Sequence, residues 1–489
     1  MDLGSLASSA LSGVNALGRK TYAEPPEDGM FDYTPKAVSD RFTAGFGKAV
    51  MLPDDVAKKR YYIAGYRDNN PAKGVIDPQY AHALWLDDNS GKGGHLFISL
   101  DIVGLLRKDV QTLQRALKDF VRTTGCRSIT VMSTHNHAGI DTMGIWGRLP
   151  HSGKNQKFMT ILYNAAITAA VAAYRDRRKG RLYLGTVEVP DMQEDIRLPE
   201  VYSKTLTRLR FAPDDDTREI WFLNFASHSE SLQGCNSLIS ADFPCYLRER
   251  IRNKTGAETI YGVGAIGGMI SMKVENEDLL RKENRLLEST RNIGYKLADY
   301  AMSIKDEKEL APRISFIRQE FYCPVDNPVL TAACQLGILN ADKFKLPYSE
   351  RNALKTELSY YEIDTLKILM LPCELFPELA YGGYLGAEES ALGEPPEINP
   401  PPLTEIAEAK DLLIFGLAND ELGYVIPPND FLLNESIPYM DKAIDRLGRR
   451  HYEETNSMGP ETAGHIADAL AKVMIFVKEA KANHKGEGK

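Results

Sequence analysis

Two kinds of hydrophobic pattern alternate along the chain. Short, nearly continuous runs of Val, Ile, Leu and aromatic residues are typical of buried β-strands. Such runs cover residues 95–103, 128–133, 181–189, 219–227, 258–266, 314–322, 365–372 and 411–419. Because strands of this kind are buried on both faces, they indicate a sheet that is covered on both sides.

Longer stretches with apolar residues at helical spacing lie between the strands. Residues 106–121 and 157–176 have this pattern, and residues 460–482 predict one amphipathic C-terminal helix. One more long helix is predicted to carry on a single stripe the residues Leu279, Leu286, Ile293, Leu297 and Ala301. Strands that alternate with helices predict an α/β fold, a layered mixed sheet with flanking helices. The proline-rich residues 393–405 predict a loop within the same large domain.

Charge and composition exclude several classes of partner. The chain has 489 residues, a formal net charge of −8 and no cluster of Lys or Arg, so we expect no binding to nucleic acid. We see no apolar run of the roughly 20 residues that a transmembrane helix needs. The first 20 residues lack the basic and apolar regions of a signal peptide, so we expect a cytoplasmic protein.

The cysteines and the N-terminal residues provide no candidate functional site. The six cysteines form no CxxC pair, which indicates buried thiols in a reducing compartment rather than disulfides or a thiolate zinc site. Apolar residues at helical spacing near the N-terminus predict either a short amphipathic arm or a frayed terminus. These residues are Leu3, Leu6, Ala10, Val14 and Leu17.

Two histidines, His135 and His137, follow the strand 128–133 and are separated by one residue. Alternate side chains share a face of an extended segment, so these two imidazoles are expected to project together. Ligands of open α/β sheets bind beyond the carboxyl ends of the strands, which is where this pair lies. A pair of hydrogen-bonded loop histidines is the alternative interpretation.

Three more strand ends carry residues that can ligate a metal. His228 follows strand 219–227, Glu374 follows strand 365–372, and Tyr424 follows strand 411–419. Nitrogen and oxygen donors of these kinds suit Zn²⁺ that is held by three or four protein ligands with one position open. Each residue also has a structural alternative: His228 in the core, Glu374 on an exposed turn and Tyr424 in simple packing.

Segments containing these residues resemble the neutral/alkaline non-lysosomal ceramidase-like family. The resemblance runs over about residues 43–450, in the order that this family shows. Its segments are AGFGKAVMLP, IAGY, VIDPQYAHALWLDD, SLDIVGL, THNHAGIDTMGIWG, NFASHSESL, ISADFPCYL, PCELFPELA and GLANDELGY. We therefore divide the chain into an N-terminal arm (1–42), a ceramidase-like catalytic domain (43–450) and a C-terminal helical extension (451–489).

The resemblance implies a zinc-dependent hydrolase that cleaves an N-acyl amide, or an ester, by metal-activated water. It implies His135, His228, Glu374 and Tyr424 as metal ligands. His137 would then face the reacting carbonyl as a hydrogen-bond donor or proton carrier. A small or amphiphilic molecule is the implied substrate.

Several carboxylates and one serine complete the set of candidates. Asp101, Asp141 and Asp242 lie in matching segments and are candidates to orient the imidazoles, and Asp141 is also a catalytic candidate. Each of them has a helix cap or a turn as its alternative role. In place of the family's NxGDxSP loop the chain has GVGAIGGMISMK, where Ser271 is the nearest catalytic candidate.

The glycines of this loop, Gly264, Gly267 and Gly268, predict a tight turn. Its amides would face a substrate or an anion, or the glycines would simply allow close packing. Only 65 residues follow Tyr424, so the β-sandwich domain of true neutral ceramidases is not expected in this chain.

Two other functions remain open at this point. The altered glycine loop favours a metal-dependent enzyme of the same fold that acts on a carbohydrate or another polar metabolite. A non-catalytic binding protein that retains the metal is the third interpretation.

Overall fold

Two β-sheets pack face to face in the computed structural model, which describes residues 22–347 and 349–487. The larger sheet has nine strands in this part of the chain. In spatial order they are Glu258–Val263, Ile220–Phe225, Thr205–Pro213, Arg178–Glu188, Phe42–Val50, Tyr80–Asp87, His95–Leu100 and Ser128–Ser133, with Glu307–Leu310 beside Arg178–Glu188. Parallel and antiparallel pairs occur in the same sheet, as predicted.

The smaller sheet has five strands among the described residues. They are Ile314–Pro324, Asn352–Ile363, Leu366–Met370 and Leu413–Phe415, with Phe344–Lys345 beside Asn352–Ile363. Four pairs of two-residue strands lie outside both sheets. These pairs are Gly74–Val75 with Leu238–Ile239, Gln193–Glu194 with Ser271–Met272, Glu374–Leu375 with Tyr424–Val425, and Ala443–Ile444 with Arg450–His451.

Helices cover the outer faces of both sheets. On the larger sheet lie Arg107–Ala116, Lys118–Thr124, Gln156–Arg175, Phe243–Thr255 and Leu286–Ser303, and on the smaller sheet lies Thr462–Glu487. Shorter helices are Glu277–Lys282, Pro328–Gln335, Pro377–Tyr381 and Leu403–Ile406. Three 3₁₀ turns occupy Pro396–Ile398, Pro428–Asp430 and Glu453–Asn456. The layers therefore follow the order helix, sheet, sheet, helix.

Aromatic side chains fill the space between the two sheets. Phe97 of the larger sheet lies 5.3 Å from Tyr361 of the smaller one, and Phe222 lies 4.9 Å from Phe415, measured between ring centroids. All four side chains are buried, and full burial of such a side chain contributes about 1.5–3 kcal/mol. This core explains why the strands are apolar on both faces, and it confirms the predicted layered mixed sheet.

The predicted long helix is in fact two helices. Glu277–Lys282 ends before Leu286–Ser303 begins, and Asn284 between them has a left-handed backbone with φ of 57°. Leu279 is consequently exposed rather than part of the buried stripe. The cysteines also depart from expectation, because Cys235 is exposed while Cys126, Cys323 and Cys373 are buried.

Both ends of the described chain pack on the smaller sheet. Phe31 is part of its core, and the Asp32 amide donates to the Phe316 carbonyl at 2.8 Å. Helix Thr462–Glu487 buries Leu470 and Val473 against the same sheet. The predicted stripe from Leu3 to Leu17 lies outside the described residues, and the three domain boundaries stay a prediction.

Residues 425–487 form this helix with short strands and 3₁₀ turns, and they contain no β-sandwich. Among the helices of the described residues, none combines the length and apolar character that crossing a bilayer requires.

Candidate metal centre

His135 and His137 lie in the loop that follows strand Ser128–Ser133. His135 has a left-handed backbone with φ of 54°, which is uncommon for a residue other than glycine. Its Nδ1 atom donates to the Val103 carbonyl at 2.8 Å, and the His137 amide donates to the Ser229 carbonyl at 2.9 Å. These contacts orient the His135 ring so that its Nε2 atom faces the centre of the cluster.

His228 follows strand Ile220–Phe225 and completes a group of three imidazoles. The His135 ring centroid lies 4.6 Å from that of His137 and 4.6 Å from that of His228. The Nδ1 atom of His228 donates to the Ile270 carbonyl at 2.8 Å. Each of the three rings offers a nitrogen within 4.8 Å of a nitrogen on the other two.

Two glutamates approach the same point from strands of the smaller sheet. Glu374 follows Leu366–Met370, and Glu421 follows Leu413–Phe415. Oxygen atoms of both and a nitrogen of His135 lie within 4.8 Å of one another. The loops that contribute imidazoles and those that contribute carboxylates thus belong to different sheets.

The contacts of Glu374 require a positive charge between its carboxylate oxygen and the imidazole nitrogens. Its Oε2 atom lies 3.0 Å from Nε2 of His228 and 3.2 Å from Nε2 of His135. Because Nδ1 of both rings donates to a carbonyl, Nε2 of a neutral ring carries a lone pair, and so does the carboxylate oxygen. A proton or a metal cation must therefore lie between them.

Burial changes the pKa values of the two glutamates and leaves several ligand atoms of this cluster without a hydrogen-bond partner. Burial would raise the pKa of Glu374, but the neighbouring imidazoles of His135 and His228 outweigh it and lower that pKa. Burial and the adjacent Glu374 carboxylate raise the pKa of Glu421 well above its usual range. Among the described residues, the Nε2 atom of His135, both ring nitrogens of His137 and Oε2 of Glu421 are buried without a hydrogen-bond partner. This donor set fits a divalent cation with mixed nitrogen and oxygen ligands.

Tyr424 lies beside this donor set. Residues Glu374 and Tyr424 are partners in a parallel strand pair. The Tyr424 hydroxyl contacts the Met269 sulfur at 2.9 Å and the Tyr452 hydroxyl at 3.2 Å. Burial, with Glu374 and Tyr452 nearby, raises its pKa well above the usual range. Glu421 of the same loop, which the sequence interpretation missed, lies with His135 and Glu374, and the role of Tyr424 as a ligand stays a prediction.

Main-chain carbonyls orient the imidazoles, where carboxylates had been expected. The Asp101 carboxylate pairs with Arg248 at 2.7 Å, and the Asp242 carboxylate accepts from Ser231 and caps helix Phe243–Thr255. Asp141 accepts from the amides of its own loop, including Gly144 at 2.7 Å. In the described part of the chain none of the three carboxylates contacts an imidazole, so these residues stabilise the loops that carry the site.

Glu230 links His137 to the glycine loop. Its Oε2 atom lies 3.4 Å from Nδ1 of His137 and accepts from the Tyr66 hydroxyl at 2.8 Å. Ser271 donates its hydroxyl to the other oxygen of Glu230. Burial raises the pKa of Glu230, but His228, His137 and these two hydrogen bonds lower it overall. Burial, with His135 nearby, lowers the pKa of His137 to about 3.

Sequence reasoning missed Glu230, although a signal was present. Glu230 follows His228 by two residues, as His137 follows His135. His228 and Ser229 lie in β-bridges of an extended segment, so alternation places Glu230 on the same side as His228.

The glycine loop packs against the segment that carries Glu374. A Cβ atom on Gly267 would lie 2.5 Å from the Phe376 nitrogen, and the Gly267 amide donates to the Leu375 carbonyl at 2.8 Å. Gly268 has a left-handed φ of 73°, which favours glycine. Close packing, rather than an amide of Gly267 free for an anion, explains this part of the loop.

A cavity of about 480 Å³ opens onto these residues. His135, His137, Glu230, Glu374 and Glu421 line part of it. Its other walls are largely apolar and include Leu106, Met143, Ile145, Trp146, Leu330, Leu339, Leu354 and Met458. A cavity of this size and polarity suits the apolar part of a small molecule.

Comparison with solved structures identifies proteins that share this fold. The sequence itself matches no protein-family model and no curated protein. The structure of neutral ceramidase from Pseudomonas aeruginosa aligns with a TM-score of 0.68 and 15% identity, over 90% of this chain and 75% of that one. A ceramidase complexed with C2 aligns with a TM-score of 0.64 and 14% identity, over 89% of this chain and 76% of that one. The chain therefore has the fold of the neutral ceramidases, which confirms the resemblance seen in the sequence.

Proposed function

We propose that this protein is a metal-dependent hydrolase that cleaves the N-acyl amide bond, or less favourably an ester bond, of an amphiphilic molecule. The observation that carries the proposal is the buried contact of Glu374 with Nε2 of His135 and Nε2 of His228, two rings whose Nδ1 atoms already donate hydrogen bonds to main-chain carbonyls. The shared fold with ceramidases supports the same class of reaction.

The residues that would hold the cation are His135, His228 and Glu374, with Glu421 or Tyr424 beside them. When bound, a divalent cation such as Zn²⁺ polarises a carbonyl oxygen and lowers the pKa of water. Binding would also separate the two buried carboxylates from each other by a positive charge. Zn²⁺ is our proposal for the ion because imidazole and carboxylate donors suit it.

His137 is the residue we assign to proton transfer. It lines the cavity, and its Nε2 atom is buried without a hydrogen-bond partner. Glu230 faces its Nδ1 atom and would hold the proton there, which leaves Nε2 free to accept a proton and pass it to the leaving nitrogen. Tyr66 and Ser271 position Glu230.

The apolar walls favour an acyl chain over a carbohydrate. A sugar would leave its hydroxyl groups without partners along most of the cavity, whereas an alkyl chain loses nothing by burial there. Burial contributes about 0.8 kcal/mol for each CH₂ group, so binding should strengthen with acyl length until the cavity is full.

The test combines metal analysis with a substrate screen. Protein purified without added metal is analysed for bound metal, and N-acyl amides of several chain lengths are compared with esters and glycosides before and after chelation. We expect one stoichiometric divalent metal and chelator-sensitive amide cleavage. Turnover of glycosides alone would replace the amidase proposal by the polar-metabolite alternative, and bound metal without any turnover would favour a binding protein.

A further inference from the structure

We propose that Lys343 determines substrate specificity by binding an anionic group, a carboxylate or a phosphate, on the substrate's apolar chain. The inference rests on the proposed function, because it concerns the molecule that occupies the same cavity. It adds a charge requirement that neither the metal centre nor the apolar walls imply.

Lys343 belongs to a segment that forms one wall of the cavity. This segment connects strands Ile314–Pro324 and Asn352–Ile363 and includes helix Pro328–Gln335. Its cavity-lining residues are Val325, Leu330, Thr331, Cys334, Leu339, Ala341 and Lys343. All of these side chains except Thr331 and Lys343 are apolar or a thiol, so among the described residues of this segment Lys343 is the charged side chain that lines the cavity.

Neighbouring cations all have partners, and Lys343 is different. Lys108 pairs with Asp342 at 2.9 Å, and Lys355 pairs with Glu320 at 2.5 Å. Lys345 donates to the Glu350 carbonyl at 2.6 Å. No hydrogen bond or ion pair of Lys343 occurs with any residue in 22–347 or 349–487. Its charge is therefore available to a ligand.

Lys343 lines the same cavity as the candidate metal centre but does not pair with it. Burial lowers the pKa of Lys343, Cys334 nearby raises it, and the charge of Lys345 lowers it further. Lys343 forms no ion pair with Glu230, Glu374 or Glu421, although all four residues line the same cavity. Within the described residues, the carboxylates and the ammonium are therefore separate charged positions on the cavity wall.

This separation gives the substrate a direction. An anionic group would be attracted by the ammonium of Lys343, since a charge gains far more from an opposite charge in a low-dielectric site than in water. The carbonyl to be cleaved would then point toward His137. A neutral alkyl chain has no such preference, and its end would leave the ammonium group partly desolvated without compensation.

Binding of non-cleavable ketones tests the inference without relying on turnover. An eight-carbon methyl ketone presents a carbonyl but no bond to hydrolyse, and its far end is a methyl, a carboxylate or a phosphate monoester in three matched probes. We expect the better anionic probe to bind the full-length protein about tenfold tighter than the methyl probe in a calorimetric titration. The two anionic probes distinguish carboxylate from phosphate as the preferred group.

Three variants complete the design. Lys343→Gln should reduce the tenfold preference to about equal binding, whereas Lys343→Arg should retain it because the charge remains. Lys345→Gln is the matched control, which removes a cation from the same segment outside the cavity wall and should keep the preference within about twofold.

Equal preference in wild-type protein and Lys343→Gln, including failure of all probes to bind, would overturn the inference. Hydrolysis of amides without an end-group preference would contradict only this inference. Lys343-dependent binding of the anionic ketone by a protein that cleaves no amide would contradict only the proposed function.

Discussion

Two buried clusters in this molecule combine imidazole with several carboxylates, and they differ in what compensates the buried negative charge. In the first, Arg197 donates to Asp430, Glu454 and His451 at 2.8–2.9 Å and pairs with Glu453 at 2.9 Å. In the second, the candidate metal centre of His135, His137, His228, Glu374 and Glu421, the described residues supply no Lys or Arg partner.

The presence or absence of a guanidinium partner indicates which cluster is suited to bind a cation. A guanidinium group supplies five donors and a permanent charge, so the acids around Arg197 are satisfied by the chain itself. The candidate metal centre instead leaves ring nitrogens and a carboxylate oxygen without partners in a buried site. Buried polar atoms are normally hydrogen-bonded, and here the unpartnered atoms belong to a group of converging ligand atoms that fits a cation.

Removing an imidazole from the metal centre should have the largest effect. His228→Ala is expected to lose the bound metal and to reduce amide hydrolysis about a thousandfold or more, since the cation supplies several kcal/mol to the transition state. Metal content per protein and kcat/KM check this result.

His95→Ala is the matched control, because His95 is equally buried but bonds to Ser128 at 2.7 Å far from the centre. Full metal content in His228→Ala would exclude that residue as a ligand.

Removing the guanidinium should act on stability instead. Arg197→Met leaves several buried acids unpaired and should lower the free energy of unfolding by about 3–5 kcal/mol. Urea denaturation measures the loss, and metal content per folded molecule should stay unchanged.

Arg250→Met removes an exposed partner of Asp299 and should change stability by less than about 1 kcal/mol. An equally small loss in Arg197→Met would mean that the first cluster tolerates unpaired acids.

A smaller effect is expected at the group that faces His137. Glu230→Gln keeps partners for Tyr66 and Ser271 but removes the negative charge, so kcat should fall about 10- to 100-fold while the metal remains bound. Ser271→Ala retains that charge and should cost less than tenfold in kcat. Activity of Glu230→Gln within twofold of wild type would remove Glu230 from proton transfer.

The smallest effect concerns the pH dependence of Asp445, which lies 3.3 Å from Nε2 of His451 at the edge of the Arg197 cluster. Burial raises the pKa of Asp445, but hydrogen bonds from Arg449 and His451 outweigh it and lower that pKa to about 2. Because the folded pKa lies below the unfolded value, the stabilisation is present above about pH 4 and is lost as pH falls toward 2.

The free energy of unfolding of the wild type should therefore exceed that of Asp445→Asn by about 1 kcal/mol at neutral pH. Denaturation measured at a series of pH values should show this difference shrinking below pH 4. Asp299→Asn, at an exposed ion pair, provides the control. A difference that stays constant down to pH 2 would contradict the assignment to Asp445.

The positions of His135, His228 and Glu374 could be predicted because each follows a recognisable apolar strand. Strand ends converge at one edge, and this rule needs only the hydrophobic pattern. Glu421 and Tyr424 share a loop in which Asn419 and Gly423 have left-handed φ angles of 63° and 78°. Such residues interrupt the alternation of side chains, so the sequence could not show that Glu421 joins His135 and Glu374.

Other features leave no mark in the side-chain pattern. The partners of the imidazole Nδ1 atoms are carbonyls of Val103 and Ile270, and every residue possesses a carbonyl. The break before Leu286 depends on a single left-handed residue, Asn284. Lys343 looks like any surface lysine until the wall around it is known.

The origin of the donors in both sheets has a mechanical consequence. The loops with His135 and His228 extend from one layer, and those with Glu374 and Glu421 extend from the other. An ion shared by these loops would cross-link the two packed sheets, in addition to any chemistry it performs. Main-chain amides in the loops of both sheets should then exchange hydrogen more slowly when the ion is bound. Metal binding at one edge would therefore reduce local opening in both layers.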